Sequence, residues 1–222
     1  MGTVQMMLGA SLFAVGLFLL TTLWISHRRQ AHAIRPPARR PPRASYPSLT
    51  VIRPIKGRDA GIANNLEAAL DHGYPGAVET LFVFDDRREP ALPLVEAVLS
   101  KVDHSAGRVV FAGPPPANRT GKLNAMIAGL RQAQGELVVF ADSDIRPDRQ
   151  ALRELVDTLL DDPQAGAAFA PVVATRPART FGDVGYGLLL NGLYGPAAAA
   201  AAARRQGTLP FIRESITIGA HR

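Results

Sequence analysis

Leu81-Phe82-Val83-Phe84-Asp85-Asp86 and Leu137-Val138-Val139-Phe140-Ala141-Asp142-Ser143-Asp144 share one pattern, an uninterrupted apolar run that stops abruptly at carboxylates. Continuous apolar runs of this length, rich in β-branched and aromatic residues, predict strands buried on both faces, as in a parallel sheet covered by helices. The surrounding chain supports that reading. Strand-like runs over residues 49–55, 78–84, 108–112, 136–141 and 165–173 alternate with helical patterns over 62–70, 91–101, 121–132 and 148–160. Such alternation predicts an α/β domain with a mostly parallel sheet. Ligands of open parallel sheets bind beyond the carboxyl ends of the strands, so the residues that follow each strand are the first candidates for chemistry.

Asp85 and Asp86 follow one strand, and Asp142 and Asp144 follow another, so two acidic pairs are expected on one sheet edge. In extended backbone Asp142 and Asp144 project to the same side across Ser143. Hard cations such as Mg²⁺ or Mn²⁺ take oxygen ligands and are commonly held by one or two carboxylates plus substrate phosphates. Asp142 and Asp144 are therefore the candidate metal ligands, with Asp142 also reaching the bound nucleotide, and Asp85 and Asp86 are candidates for accepting hydrogen bonds from a nucleotide base. Lys122, in Asn118-Arg119-Thr120-Gly121-Lys122-Leu123-Asn124, opens a helix where the amino-terminal dipole and a cation both suit phosphate. Each residue also fits a plainer role: Asp85 and Asp86 as a solvated strand end, Asp144 as a turn former before Pro147, Lys122 as a surface lysine. No GxGxxG or GxxxxGK[ST] loop occurs, which argues against a dinucleotide or P-loop nucleotide site.

Residues 4–25 carry no charge, and roughly 20 apolar residues span the hydrocarbon of a bilayer, so residues 1–27 are predicted to be a transmembrane anchor. Trp24 ends the run and arginines follow, which by the positive-inside rule places everything downstream in the cytoplasm. The competing reading, a cleaved signal peptide ending near Ala31-His32-Ala33, fits less well because the amino end lacks basic residues. Residues 28–47 form a basic, proline-rich linker, with five prolines between Arg35 and Pro47 that forbid regular helix and a charge suited to anionic headgroups or plain solvent. The formal net charge is +6, yet Arg28, Arg29, Arg35, Arg39, Arg40 and Arg43 account for all of it, since the other 19 Lys and Arg balance 19 Asp and Glu. The globular part, residues 48–222, is thus formally neutral, and a global basic patch for nucleic acid is unsupported. The sequence contains no cysteine, which excludes disulfides, thiolate metal sites and a thiol nucleophile.

Taken as a set, Arg53-Pro54-Ile55-Lys56-Gly57, Asn64-Asn65-Leu66-Glu67, Tyr74-Pro75, Asp85-Asp86 with Glu89-Pro90-Ala91, Gly121-Lys122-Leu123-Asn124 and Asp142-Ser143-Asp144-Ile145-Arg146 resemble glycosyltransferase family 2/21, the ceramide glucosyltransferase group and its bacterial relatives, with the hopanoid-associated glycosyltransferases the nearest in pattern. The resemblance implies a GT-A fold and inverting transfer of a sugar from a UDP-sugar to a membrane lipid, ceramide-like or hopanoid. It implies an anchor in the inner membrane with the catalytic domain cytoplasmic. Asp86 falls on the family's first aspartate, Asp142 on the second and Lys122 on a shared lysine. The family's catalytic base aspartate and its R-W motif are expected beyond Arg222, and residues 212–222 depart from the family pattern, so the domain reads as incomplete at its carboxyl end. Two rival readings follow: a truncated, inactive nucleotide-sugar-binding remnant, and a nucleotidyltransferase, for which Arg53-Pro54-Ile55-Lys56-Gly57-Arg58 is a poor activating loop. Within residues 181–205, read as an amphipathic helix on the acceptor side, Leu188, Leu189, Leu190, Leu193 and Tyr194 either touch the lipid acceptor or fill core, with core the expectation.

Overall fold

The structure, a computed structural model, describes residues 2–33, 41–58, 61–102, 106–171, 174, 177–194 and 215–220. The chain divides into two compact units, Met1–Pro41 with Val173–Ile212 and Pro42–Val172 with Arg213–Arg222. Residues 34–40 of the basic linker and the alanine-rich stretch near Ala197 lie outside the described residues.

In the first unit, helix α1 (Gly2–Ala33) is continuous for 32 residues. At 1.5 Å per residue it is about 48 Å long, more than a bilayer's hydrocarbon requires. Its segment Gln5–Thr22 is long and apolar enough to cross a membrane. The hydroxyls within it are satisfied internally, Ser11 donating to the Met7 carbonyl at 2.9 Å, Thr21 to Leu17 at 2.7 Å and Thr22 to Phe18 at 2.8 Å. Such back-bonding lets polar side chains sit in lipid without an unpaired donor. Arg28 lies over the Trp24 ring, 4.9 Å from its centroid, so the apolar run ends in a cation–aromatic pair.

The second unit alternates as the pattern predicts: β1 (Leu49–Pro54), α2 (Ile62–Leu70), β2 (Val78–Phe84), α3 (Leu92–Leu99), β3 (Gly107–Phe111), α4 (Gly121–Leu130), β4 (Leu137–Phe140), α5 (Ala151–Asp161) and β5 (Ala167–Pro171). With β6 (Ser215–Ala220) included, the sheet order is β3-β2-β1-β4-β6-β5, with the first four strands parallel. The sixth strand, β6, has no counterpart in the sequence reading, and it runs antiparallel between β4 and β5. Residues 215–220 pair on both sides across a long sequence separation, and local periodicity carries no trace of that partnership.

Alternation along the strands sorts the core. Leu81 and Val83 of β2 pack with Ile52 and Val138 against Ala125 of α4, whereas Phe82 and Phe84 pack with Ile62, Leu66, Val95 and Val98 of α2 and α3. Leu137 and Val139 join Leu155, Val156 and Leu159 of α5. Helix α4 lies close on β1: a Cβ on Gly129 would fall 2.5 Å from Ile52 Cγ2, so only glycine admits this approach. The chain before β1 is tied to α5, with Arg43 Nε 2.8 Å from Asp157 Oδ1 and Arg43 also bonded to Asp161. The Tyr46 hydroxyl accepts from Arg153 Nε at 3.1 Å, and its ring meets Tyr74 edge-on at 5.5 Å between centroids.

Back in the first unit, α6 (Phe181–Leu189) begins in a reciprocal cap: Thr180 Oγ1 accepts from the Asp183 N–H at 3.1 Å, and the Asp183 carboxylate accepts from the Thr180 N–H at 2.9 Å. Backbone N–H groups of Arg179 and Thr180 hold the Asp183 carboxyl below its usual range. A π-helical turn, Leu190–Tyr194, follows, and Asn191 exchanges two hydrogen bonds with the Ala174 backbone, at 2.7 and 3.0 Å. The expectation that the apolar residues here fill core is corrected. Leu188 is 69% exposed, Leu189, Leu193 and Tyr194 are exposed, Leu190 is only half-buried, and α6 buries no residue. Among the described residues, no element covers this apolar face.

Candidate functional site

Because β1, β2 and β4 are parallel neighbours, their carboxyl ends bring three polar segments to one edge of the sheet. Asp85 and Asp86 follow β2, Asp142-Ser143-Asp144 follows β4, and Lys56 follows β1. Helix α4 points its amino end at the same place. Its first residue, Gly121, sits so close that a Cβ there would be 3.3 Å from Asp85 Oδ2 and 3.8 Å from Lys56 Nζ. Thr120 caps α4 by accepting from the Leu123 N–H at 3.3 Å, and the first turn itself carries no acidic residue, so the negative charge beside the positive end of the helix dipole comes from Asp85 at the end of β2.

Two ion pairs organise the edge. Lys122 Nζ is 2.7 Å from Asp142 Oδ1, and Lys56 Nζ is 2.8 Å from Asp85 Oδ2. The hydrogen bond to Asp85 raises the Lys56 ammonium above its usual range. Asp142 is largely sheltered, its side chain 17% exposed, and it already faces a cation. Asp144 is exposed, and among the described residues nothing bonds its carboxylate. The two neighbouring carboxylates differ in the same way. Asp85 turns inward, whereas Asp86 turns to solvent and is engaged by Arg88, whose backbone N–H lies 2.6 Å from Asp86 Oδ1 and holds that carboxyl below its usual range. Of the residues singled out from sequence, the structure therefore gathers Asp85, Lys122 and Asp142 around the amino end of α4, sets Asp144 at the rim and leaves Asp86 turned toward Arg88.

The donor chemistry suits a hard divalent cation. Asp142 and Asp144 supply oxygen ligands two residues apart, and the Lys122 ammonium at Asp142 marks where positive charge is favoured. No group of three or more His, Asp or Glu side chains capable of closing a metal site occurs among the described residues.

Three residues escaped the sequence reading as members of the site. Asn124 is buried and donates to the carbonyls of Ala112 and Gly113, at 3.4 and 3.1 Å, shaping the loop after β3. Lys56 is the counter-ion of Asp85. Arg53 is buried beneath the Asp142 turn, and an arginine inside the apolar run Val51-Ile52-Arg53-Pro54-Ile55 was the available signal.

Comparison with known proteins gives three findings. The family model for glycosyl transferase family 21 matches residues 9–207. A ceramide glucosyltransferase from Gibberella zeae is 26% identical over 178 residues, covering 72% of this chain and 33% of that protein. Ceramide glucosyltransferase 1 from Caenorhabditis elegans is 32% identical over 109 residues, covering 48% of this chain and 23% of that protein. The chain thus spans a third or less of the length of these curated relatives. Among solved structures, the mannosyltransferase PcManGT from Pyrobaculum calidifontis, in complex with GDP-Man and Mn²⁺, superposes with a TM-score of 0.51 at 24% identity, covering 78% of this chain and 48% of that one. That likeness is one of fold, and the fold is GT-A.

Proposed function

We propose, for a chain that belongs to glycosyl transferase family 21, that it binds a UDP-sugar at the edge formed by β1, β2 and β4 and passes the sugar, with inversion, to a lipid acceptor, ceramide-like or hopanoid. The observation that carries the reading is the convergence of Asp142, Lys122 and Asp85 at the amino end of α4, with Asp144 exposed at the rim. Mg²⁺ or Mn²⁺ would be held by Asp142 and Asp144, and when bound it offsets the charge that develops on the departing diphosphate. The presence of Mn²⁺ and a nucleotide sugar in the mannosyltransferase of like fold supports this assignment.

The chain's own residues do the rest. Lys122 and the amino-terminal dipole of α4 offer positive charge to the diphosphate. Asp85 and Asp86, at the end of β2, offer acceptors to the base. The apolar segment of α1 would anchor the chain in the inner membrane, and the arginines that follow Trp24 support a catalytic domain on the cytoplasmic side.

The direct test supplies membranes carrying the chain with a UDP-sugar labelled in the sugar. Label extracted into a lipid product, with the anomeric configuration inverted by NMR, is the expected result, and a retained configuration or purely water-soluble product overturns it. Within that reading, Lys122→Ala is expected to weaken UDP binding about tenfold, the usual worth of one charge-assisted hydrogen bond, while uridine binding is unchanged. Calorimetry with both ligands checks it, and equal losses for UDP and uridine contradict the diphosphate role.

A further inference from the structure

Arg53 lies in β1, opposite Phe82 of β2, and is 1% exposed, one of the most deeply buried side chains in the domain. Burying a guanidinium is costly, and among the described residues no carboxylate bonds it directly. Its hydrogen bonds go to backbone instead: Nη1 to the Asn65 carbonyl at 3.2 Å, and Nη2 to the carbonyls of Asp142 at 2.7 Å and Ile145 at 2.5 Å, with Nε unpartnered. Burial brings its pKa down to about 10, opposed by the charges of Asp142 and Asp144.

The two carbonyls shared by Nη2 are the two ends of the turn that carries Asp142, Ser143 and Asp144. The turn's own closing bond, Ile145 N–H to the Asp142 carbonyl, is long at 3.4 Å. Asn65, buried on α2, adds a weak contact to the Ser143 carbonyl at 3.5 Å. One nitrogen, Nη2, thus bonds both ends of the turn while Nη1 ties the same rigid plane to the Asn65 carbonyl of α2, an arrangement that an ammonium, with a single nitrogen and no plane, does not reproduce. An apolar side chain of similar volume would fill the same space without the desolvation cost, so packing alone does not account for an arginine here.

We infer that Arg53 is the positioning residue of the donor site, which clamps the Asp142–Ile145 turn from beneath so that both aspartates are set for a cation before the nucleotide sugar arrives. The inference rests on the donor-site reading above. Charge and positioning make opposite forecasts. If Arg53 acted only through its charge, removing it would tighten Mn²⁺ binding, because a positive charge near the cation would be gone. If it acts by position, both Arg53→Met, which removes charge and fork, and Arg53→Lys, which keeps the charge, weaken Mn²⁺-dependent UDP binding. The expected loss is tenfold to a hundredfold, roughly the range for groups that orient metal ligands.

The test uses the full chain in detergent, with folding checked by circular dichroism and UDP binding titrated with and without Mn²⁺. Loss in both folded variants supports the clamp. Wild-type affinity in folded Arg53→Lys, or tighter binding in folded Arg53→Met, overturns it. Should neither variant fold, hydrogen exchange of the wild-type chain decides: slow exchange at Ile145 before ligand is added supports a preset turn, and protection gained only with Mn²⁺ and UDP overturns it. A folded wild type that binds no UDP with Mn²⁺ sinks the donor-site reading itself, a result distinct from intact binding in the variants.

Discussion

Asp142→Asn is expected to weaken Mn²⁺-dependent binding of a UDP-sugar by about two orders of magnitude, on the order of 3 kcal/mol. The substitution keeps the shape of the side chain and removes its charge. It takes away the proposed cation ligand and the charged partner of Lys122, 2.7 Å away, and leaves untouched the backbone carbonyl that accepts from Arg53. The melting temperature should therefore stay near that of the wild type while the binding heat disappears. Asp144→Asn, at the exposed rim, should show a smaller loss by the same calorimetry. Wild-type affinity in Asp142→Asn would mean that the cation, if one binds, is held elsewhere.

Phe82→Ala is expected to destabilise the domain by about 3–5 kcal/mol, the usual cost of emptying a fully buried aromatic site. Phe82 has no exposed surface and sits on a strand paired on both sides, β1 with β2 and β2 with β3. Its ring lies among Leu66 of α2 and Val95 and Val98 of α3, and strands and helices fixed by backbone pairing have little freedom to collapse into the space. Thermal unfolding followed by circular dichroism measures the effect. A change under about 1 kcal/mol would mean that the α2 and α3 layer repacks freely, in conflict with a close-packed core.

Much of the fold was legible because the decisive strands are short, apolar and locally complete. Leu81-Phe82-Val83-Phe84 and Leu137-Val138-Val139-Phe140 announce buried strands without reference to any partner, and the helices between them follow from periodicity. Residues 215–220 were missed although Ser215-Ile216-Thr217-Ile218 alternates as a strand does, and only the pairing with β4 and β5 shows its antiparallel place in the sheet. The exposed leucines of α6 misled for a related reason. Apolar residues at helical spacing show that a face is apolar and do not say what covers it.

The site divides along similar lines. Carboxylates at strand ends were visible from the sheet-edge rule alone, and the structure brings Asp85, Asp142 and Lys122 together around one helix terminus. The difference between Asp85 and Asp86 lies beyond strand periodicity, since both follow the last residue of β2 and the turn alone sends one inward and the other to Arg88. Arg53 was visible as an oddity, a charge within an apolar strand, but its role depends on carbonyls 89 and 92 residues away.

The central claim is a cation-dependent donor site at the amino end of α4. The measurement that tests it most directly is calorimetric titration of the detergent-solubilised wild-type chain with UDP-glucose and UDP-GlcNAc, with and without Mn²⁺. Saturable binding that requires Mn²⁺ and is competed by UDP is the predicted result. A folded chain that binds neither nucleotide sugar under either condition would contradict the account.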